Sequence, residues 1–181
     1  MRDVIITLMV LATIPFILRN PWYGVLTWSW LSYMNPHRLA WGFAYDMPFA
    51  QIVAIVLFFS LLISKEKKGL PANSLVVVWV IFLVWLSIST VFAVYPDLAV
   101  LQLQKVLKIQ LVTFVTLMLM RDFERVNQLI WVIVFSIGFY SVKGGIFTIM
   151  TGGGYHVFGP DGSDIQENNA LAVAVRVLVL G

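Results

Sequence analysis

The sequence predicts an all-α, polytopic transmembrane helical protein of about six segments plus the start of a seventh. Three observations carry that expectation. The chain is 60% hydrophobic and 12% charged, with a mean hydropathy of +0.90, whereas soluble domains are nearer half apolar and a quarter charged. Several apolar runs approach the roughly 20 residues that a helix rising about 1.5 Å per residue needs to cross a hydrocarbon core about 30 Å thick. The basic residues also gather in alternate breaks between those runs, the asymmetry that orients spanning helices.

Taken in order, residues 4–18 and 22–34 are each short for a span, and Arg19-Asn20-Pro21 separates them. A helical hairpin of two short or tilted spans is the expected arrangement, with one broken or re-entrant element as the alternative. Arg2 is offset by Asp3 and the first apolar run ends without a small-residue cleavage site, so it reads as an uncleaved membrane segment. Residues 49–63 follow Pro48, a plausible helix start. Residues 75–94 meet the span length cleanly. Residues 105–120 are shorter and extend backwards through 98–104. Residues 127–150 form the sixth segment, with Lys143-Gly144-Gly145 near its far end, and a last apolar run begins near Asn169 and reaches Gly181.

Orientation follows the short loops. Lys65, Lys67 and Lys68 lie in one break, Arg121 and Arg125 in another, and Arg19 in the first. Alternation places all three on one side, the cytoplasmic one. The opposite loops carry Asp46, Asp97, Asp161, Asp164 and Glu167, with Arg38 and the N-terminal Arg2 as exceptions. This puts 35–48, 95–100, 151–168 and the N-terminus outside. The net charge of +3 is small and dispersed, which gives no argument for nucleic acid as a partner. With no cysteine, disulfides and thiolate metal sites are excluded. Trp22, Trp28, Trp30, Tyr33 and Trp41 cluster around one hairpin, as interfacial anchors or, alternatively, as a stacking platform for a ligand.

Charge inside apolar segments is costly, at least about 2.5–3.5 kcal/mol on insertion scales, and is a functional hypothesis by default. Lys105 and Lys108 share a helix face at i, i+3; Lys143 precedes a Gly-Gly pair that permits an unwound backbone and close approach; Arg176 interrupts the last run. Lys105, Lys108 and Lys143 fall toward the outer half, where a cluster of ammonium groups suits a lipid-linked phosphate or pyrophosphate. The alternative for Lys105 and Lys108 is snorkelling from an interfacial helix over 96–108. The polar stretch 151–170 is built to turn: Gly152-Gly153-Gly154 allows positive φ, and Gly159-Pro160-Asp161-Gly162 has tight-turn order. Asn168 or Asn169 stands where an amide caps the next helix. The spacing fits neither a P-loop nor a dinucleotide fingerprint. His37 and His156 are isolated, so no metal site and no cofactor is expected, and no catalytic residue is assigned.

The stretches WSWLSYMNPHRLAWGFAYDMPFAQIVA (28–54), KVLKI (105–109) and SVKGGIFTIMTGGGYHVFGPDGSDIQENNALA (141–172) resemble the N-terminal region of the O-glycosylation ligases of exosortase A systems. These are similar to the wider O-antigen ligase and polymerase superfamily. The resemblance implies a multi-pass protein of the bacterial inner membrane. It would move a glycan from a polyprenyl-pyrophosphate carrier to an acceptor at the periplasmic face, without a metal. Basic residues near the outer surface would hold the pyrophosphate, with Lys143 and the Asn168-Asn169 stretch in the first half of that site. The acceptor-activating histidine of the superfamily lies in a later loop and transfers to neither His37 nor His156. By the same resemblance, 1–168 is the N-terminal membrane domain and 169–181 the truncated start of the ligase core, so that the fragment alone is expected to be inactive. Two readings from other classes stand beside it. A transporter module would line a polar path with Lys105, Lys108, Lys143 and Arg176 and would show inverted repeats. A non-catalytic membrane scaffold would pair the same cations with anionic lipid headgroups.

Overall fold

The computed structural model describes residues 2–66, 69–70, 73–159, 163 and 165–180, with side chains described as far as residue 177. The described residues form α-helices and one 3-10 helix, in the order α1 (Arg2–Arg19), α2 (Trp22–Met34), the 3-10 helix (Pro36–Leu39), α3 (Phe49–Ile63), α4 (Ser74–Val91), α5 (Pro96–Leu119), α6 (Phe123–Thr151) and α7 (Asn168–Leu180). Three of them, α4, α5 and α6, are long and apolar enough to cross a membrane, and α3 is a shorter apolar helix. No residue of α4 is buried, and Trp85 and Val91 on it are largely exposed. A helix apolar on every face belongs in lipid or a core, not in water. The chain is a membrane protein by that measure.

Local chemistry sets the boundaries. The run expected to continue to residue 94 stops at Val91 because Tyr95 precedes a proline, which biases it away from helix. Pro96 then opens α5 with its φ already fixed and Asp97 in the first turn, where a carboxylate complements the helix dipole. The expected outer loop 95–100 is therefore mostly helix. Lys105 and Lys108 lie midway along one continuous helix, not on a separate interfacial segment over 96–108. At the end of α2, Asn35 takes a left-handed conformation with φ 48°. Asparagine tolerates that position, and Pro36 follows as the residue that cannot prolong the helix.

The chain divides into two compact units, residues 1–64 with 122–181, and residues 65–121. The second is an αα-hairpin of α4 and α5. Trp79 stacks on Phe114 with centroids 4.2 Å apart, and Asn73 caps α4 by accepting from the Leu75 N–H at 3.3 Å. Arg121 donates to the Gly69 and Met118 carbonyls.

In the first unit α2 is the central helix, packed on α1, α3 and α6. Gly24 makes this possible. A Cβ there would stand 2.9 Å from Leu57 Cδ1 on α3 and 3.0 Å from Ile17 Cγ2 on α1, so α1, α2 and α3 converge where no side chain fits. Small residues serve helix association in lipid because van der Waals contact replaces the missing hydrophobic drive. Ser60 of α3 adds a buried bond, its hydroxyl donating to the Ile17 carbonyl at 2.5 Å. Contacts along the helices fix their directions. Arg125 lies over Trp22 and Tyr140 reaches Met34, so α6 runs parallel to α2. The start of α1 meets the end of α2 around one cavity, so those two are antiparallel, as a hairpin requires. One end of the unit thus gathers Arg19, Ser60 and Arg125, and the other gathers Arg2, the segment 34–49 and Lys143.

Candidate functional site

The Lys143 end is assembled from three separate stretches of chain. Arg2 opens α1. The 3-10 helix brings Arg38, its guanidinium 4.4 Å from the Tyr45 ring centroid and 3.8 Å from Asp46. Asp46 is 90% exposed, so that pairing is weak. Lys143 stands on α6 one turn beyond Tyr140. The Tyr140 hydroxyl donates to the Met34 carbonyl at 2.9 Å, satisfying one of the orphan carbonyls at the end of α2. That bond sets the register between α2 and α6, and so the height of Lys143. Together Arg2, Arg38 and Lys143 line a cavity of about 630 Å³ whose walls are Ile6, Met9, Trp30 and Phe139, with Trp41 at its edge.

A latch holds the loop that carries Trp41. Asp3 Oδ1 accepts from the Gly42 N–H at 3.0 Å and from the Ala44 N–H at 3.2 Å. A Cβ at residue 42 would lie 2.8 Å from that oxygen, so a side chain there would push the carboxylate away. Trp41, beside the latch, is 91% exposed.

His37 is not among the residues that line this cavity. It is buried, with its ring edge-on to Phe49 at 5.7 Å, and its Nδ1 finds no hydrogen-bond partner among the described residues. Burial, and then the Arg38 charge, pushes its pKa below the usual histidine value. It is therefore held as a neutral packing group, because a charge in that place would be unsolvated.

On its other side α6 faces a second cavity of about 700 Å³, lined by Gly144 and Gly145, by Tyr155 and His156 of the following loop, and by Asn168 and Arg176 of α7. A smaller one of about 200 Å³ touches both Lys143 and His156. α6 is continuous through Gly144-Gly145, so the backbone does not unwind there. Gly144 instead admits the loop: a Cβ on it would sit 2.5 Å from Val157 Cγ1.

Of the residues singled out by sequence, Lys143 lies in the cavity. Lys105 and Lys108 stand exposed on α5 in the other unit. Arg176, also exposed, lines the second cavity. The Gly159 N–H bonds to the Gln166 carbonyl at 2.9 Å, whereas Pro160, Asp161, Gly162 and Asp164 lie outside the described residues, as do Lys67 and Lys68. Asn168 is the first residue of α7, and its amide meets His156 Nδ1 at 3.1 Å. The first backbone bond of α7 runs from the Leu171 N–H to the Glu167 carbonyl. Asn169 is exposed in that first turn. Arg2 and Arg38 were not expected in the site. One signal pointed to them: they are the basic residues that break the charge asymmetry of the loops.

A family model matches residues 1–180. The chain belongs to DUF5935, a family of unknown function. No curated protein and no solved structure matches it. Within this DUF5935 chain, the chemistry on offer is therefore read from the cavity itself. Cations set among apolar and aromatic walls suit an anion that carries an apolar body.

Proposed function

We propose that the chain is the N-terminal membrane module of a glycan transferase like the O-glycosylation and O-antigen ligases it resembles in sequence. In this reading the helices form a multi-pass bundle in a bacterial inner membrane. The Arg19 and Arg125 end faces the cytoplasm and the Lys143 end faces outward. The donor is a glycan on a polyprenyl-pyrophosphate carrier.

One observation carries the reading, the placement of Lys143. α6 has 29 residues, about 43 Å at about 1.5 Å per residue, more than the roughly 30 Å of a hydrocarbon core. Counted from Asn127, Lys143 lies about 24 Å along it, near the far boundary, where its side chain lines the cavity and its ammonium stands 5.9 Å from the Tyr140 ring centroid. A cation at that depth suits the headgroup of a lipid carrier whose chain stays in the bilayer. Holding the leaving pyrophosphate there would contribute orientation and charge stabilisation to transfer. Neither histidine is given the role of acceptor base, since His37 is buried and His156 is engaged with Asn168. Lys105 and Lys108, exposed on α5 in the other unit, are separate candidate headgroup contacts.

The test is replacement by alanine of the lysine equivalent to Lys143 in a longer relative that performs glycan transfer. Transfer is expected to be lost while membrane insertion persists. Retained transfer would overturn the reading.

A further inference from the structure

A second set of cations lies in the other unit, on α5. There Leu103, Val106, Gln110 and Phe114 are half-buried, and Phe114 stacks on Trp79 of α4, so this is the side that α4 covers. Gln104, Lys105 and Lys108 are exposed. Each stands two residues from a member of that seam, about 200° around a helix of about 3.6 residues per turn, and so on the opposite side. Neither lysine forms an ion pair among the described residues. Depth decides what can answer them. α5 has 24 residues, about 36 Å of helix, and is apolar enough to cross a membrane. Lys105 lies about 14 Å and Lys108 about 18 Å from its start, so Lys108 sits at its middle. Half of a hydrocarbon core is about 15 Å, farther than a lysine stem can snorkel. The exposed face there meets lipid tails, where an unpaired ammonium is costly and charged side chains pair with one another.

We infer that the Gln104, Lys105 and Lys108 face of α5 docks a membrane-spanning helix of another protein, one that carries a carboxylate at mid-depth. The depth favours this partner over the headgroup contact considered above. A chain at that level must be helical, because lipid tails offer its backbone no hydrogen bonds. The charges are complementary: a carboxylate at mid-span is as costly alone as the lysines are, and each helix supplies the counter-charge that the other lacks. The Gln104 amide adds N–H donors for the carboxylate oxygens. A second copy of the chain does not fit this face. It would bring the same two lysines to the same depth, and among the described residues no carboxylate lies within a helix beyond its first turn. The inference rests on the multi-pass reading of α5 as a span and not on glycan transfer.

The experiment measures association of the full chain with synthetic spanning helices in phosphatidylcholine vesicles, by energy transfer. The chain has no cysteine, so Glu124→Cys, at an exposed position, carries the dye. The probes are polyleucine peptides with Glu, Leu or Lys at the central residue. The Glu peptide is expected to associate at least about tenfold more tightly than the Leu peptide. Replacing both lysines by leucine, which leaves the α4 seam untouched, should abolish that preference. Lys108→Glu should reverse it in favour of the Lys peptide, which keeps the test decisive if the double variant fails to insert. Adding phosphatidic acid to the vesicles should leave the preference unchanged. Equal association of the Glu and Leu peptides would overturn the docking face, and so would a preference that survives loss of both lysines. Loss of the preference in phosphatidic acid would return the lysines to lipid headgroups. Chain-to-chain energy transfer that depends on the two lysines would put a second copy in the partner's place. The span is checked separately: Asp97→Cys and Glu124→Cys should react with an impermeant maleimide from opposite faces of the vesicle. Reaction from one face would overturn the reading of α5 as a span, and the inference with it.

Discussion

The two ends of the first unit both carry arginine next to aromatic rings, yet the charges are used differently. At one end Arg125 meets Asp122 at 3.2 Å and lies 5.6 Å from the Trp22 ring centroid. Its charge is answered by the neighbour three residues away, at the start of the same helix. At the other end Arg2, Arg38 and Lys143 come from α1, the 3-10 helix and α6 and surround a cavity. The carboxylate closest in sequence, Asp3, is occupied by backbone N–H groups. The contrast teaches that an arginine beside an aromatic ring can be answered within its own helix, as Arg125 is by Asp122, or can share a cavity with cations from other segments, as Arg38 does.

The largest break in that comparison would remove both ends together. Gly24→Leu places a side chain where Leu57 and Ile17 already meet, and an overpacked core of this kind costs about 3 kcal/mol. Thermal unfolding in detergent should show the loss, along with loss of phosphate-lipid binding. A smaller change separates the ends. Tyr140→Phe leaves the Met34 carbonyl without its donor, at a cost of about 1–2 kcal/mol. Arg125→Ala removes a half-exposed ion pair, at about 1 kcal/mol or less. Only Tyr140→Phe should also weaken lipid binding, because only it frees the height of Lys143. Equal binding loss in both variants would erase the distinction between the ends.

The smallest effect concerns pH. The folded protein holds His37 neutral below the usual histidine pKa, through burial and then the Arg38 charge. The unfolded chain binds that proton near 6.5. Stability from neutral His37 is therefore complete above pH 6.5 and declines as pH falls below it, until the folded histidine itself takes the proton. Melting temperature should drop on acidification through this window, and His37→Leu should flatten the slope. An unchanged slope in His37→Leu would remove the histidine from the account.

Much of the helix pattern was legible in the chain. Arg19-Asn20-Pro21 and Asn35-Pro36 mark breaks that the structure keeps, and the two short runs at the start are separate helices joined as a hairpin. Boundaries moved where proline chemistry acts at short range, as at Tyr95-Pro96. Lys143 was visible because a cation in an apolar run stands out in any window. Arg2 and Arg38 were not, because a basic residue at a terminus or in a loop is ordinary until a third segment arrives beside it. Gly24 carried no signal, since a glycine inside an apolar helix looks like a weak helix former rather than a contact point.

The sequence by itself determined the class of molecule, the helices and the breaks between them, because hydropathy, proline and capping act within a few residues of each position. Only the tertiary structure decided which cations share a cavity and which acid holds the loop beside them. Residues 2, 38 and 143 are brought together by helix packing at Gly24 and by the Tyr140–Met34 bond. Such proximity depends on which faces fit against one another, a property of three-dimensional shape that no local pattern of residues contains.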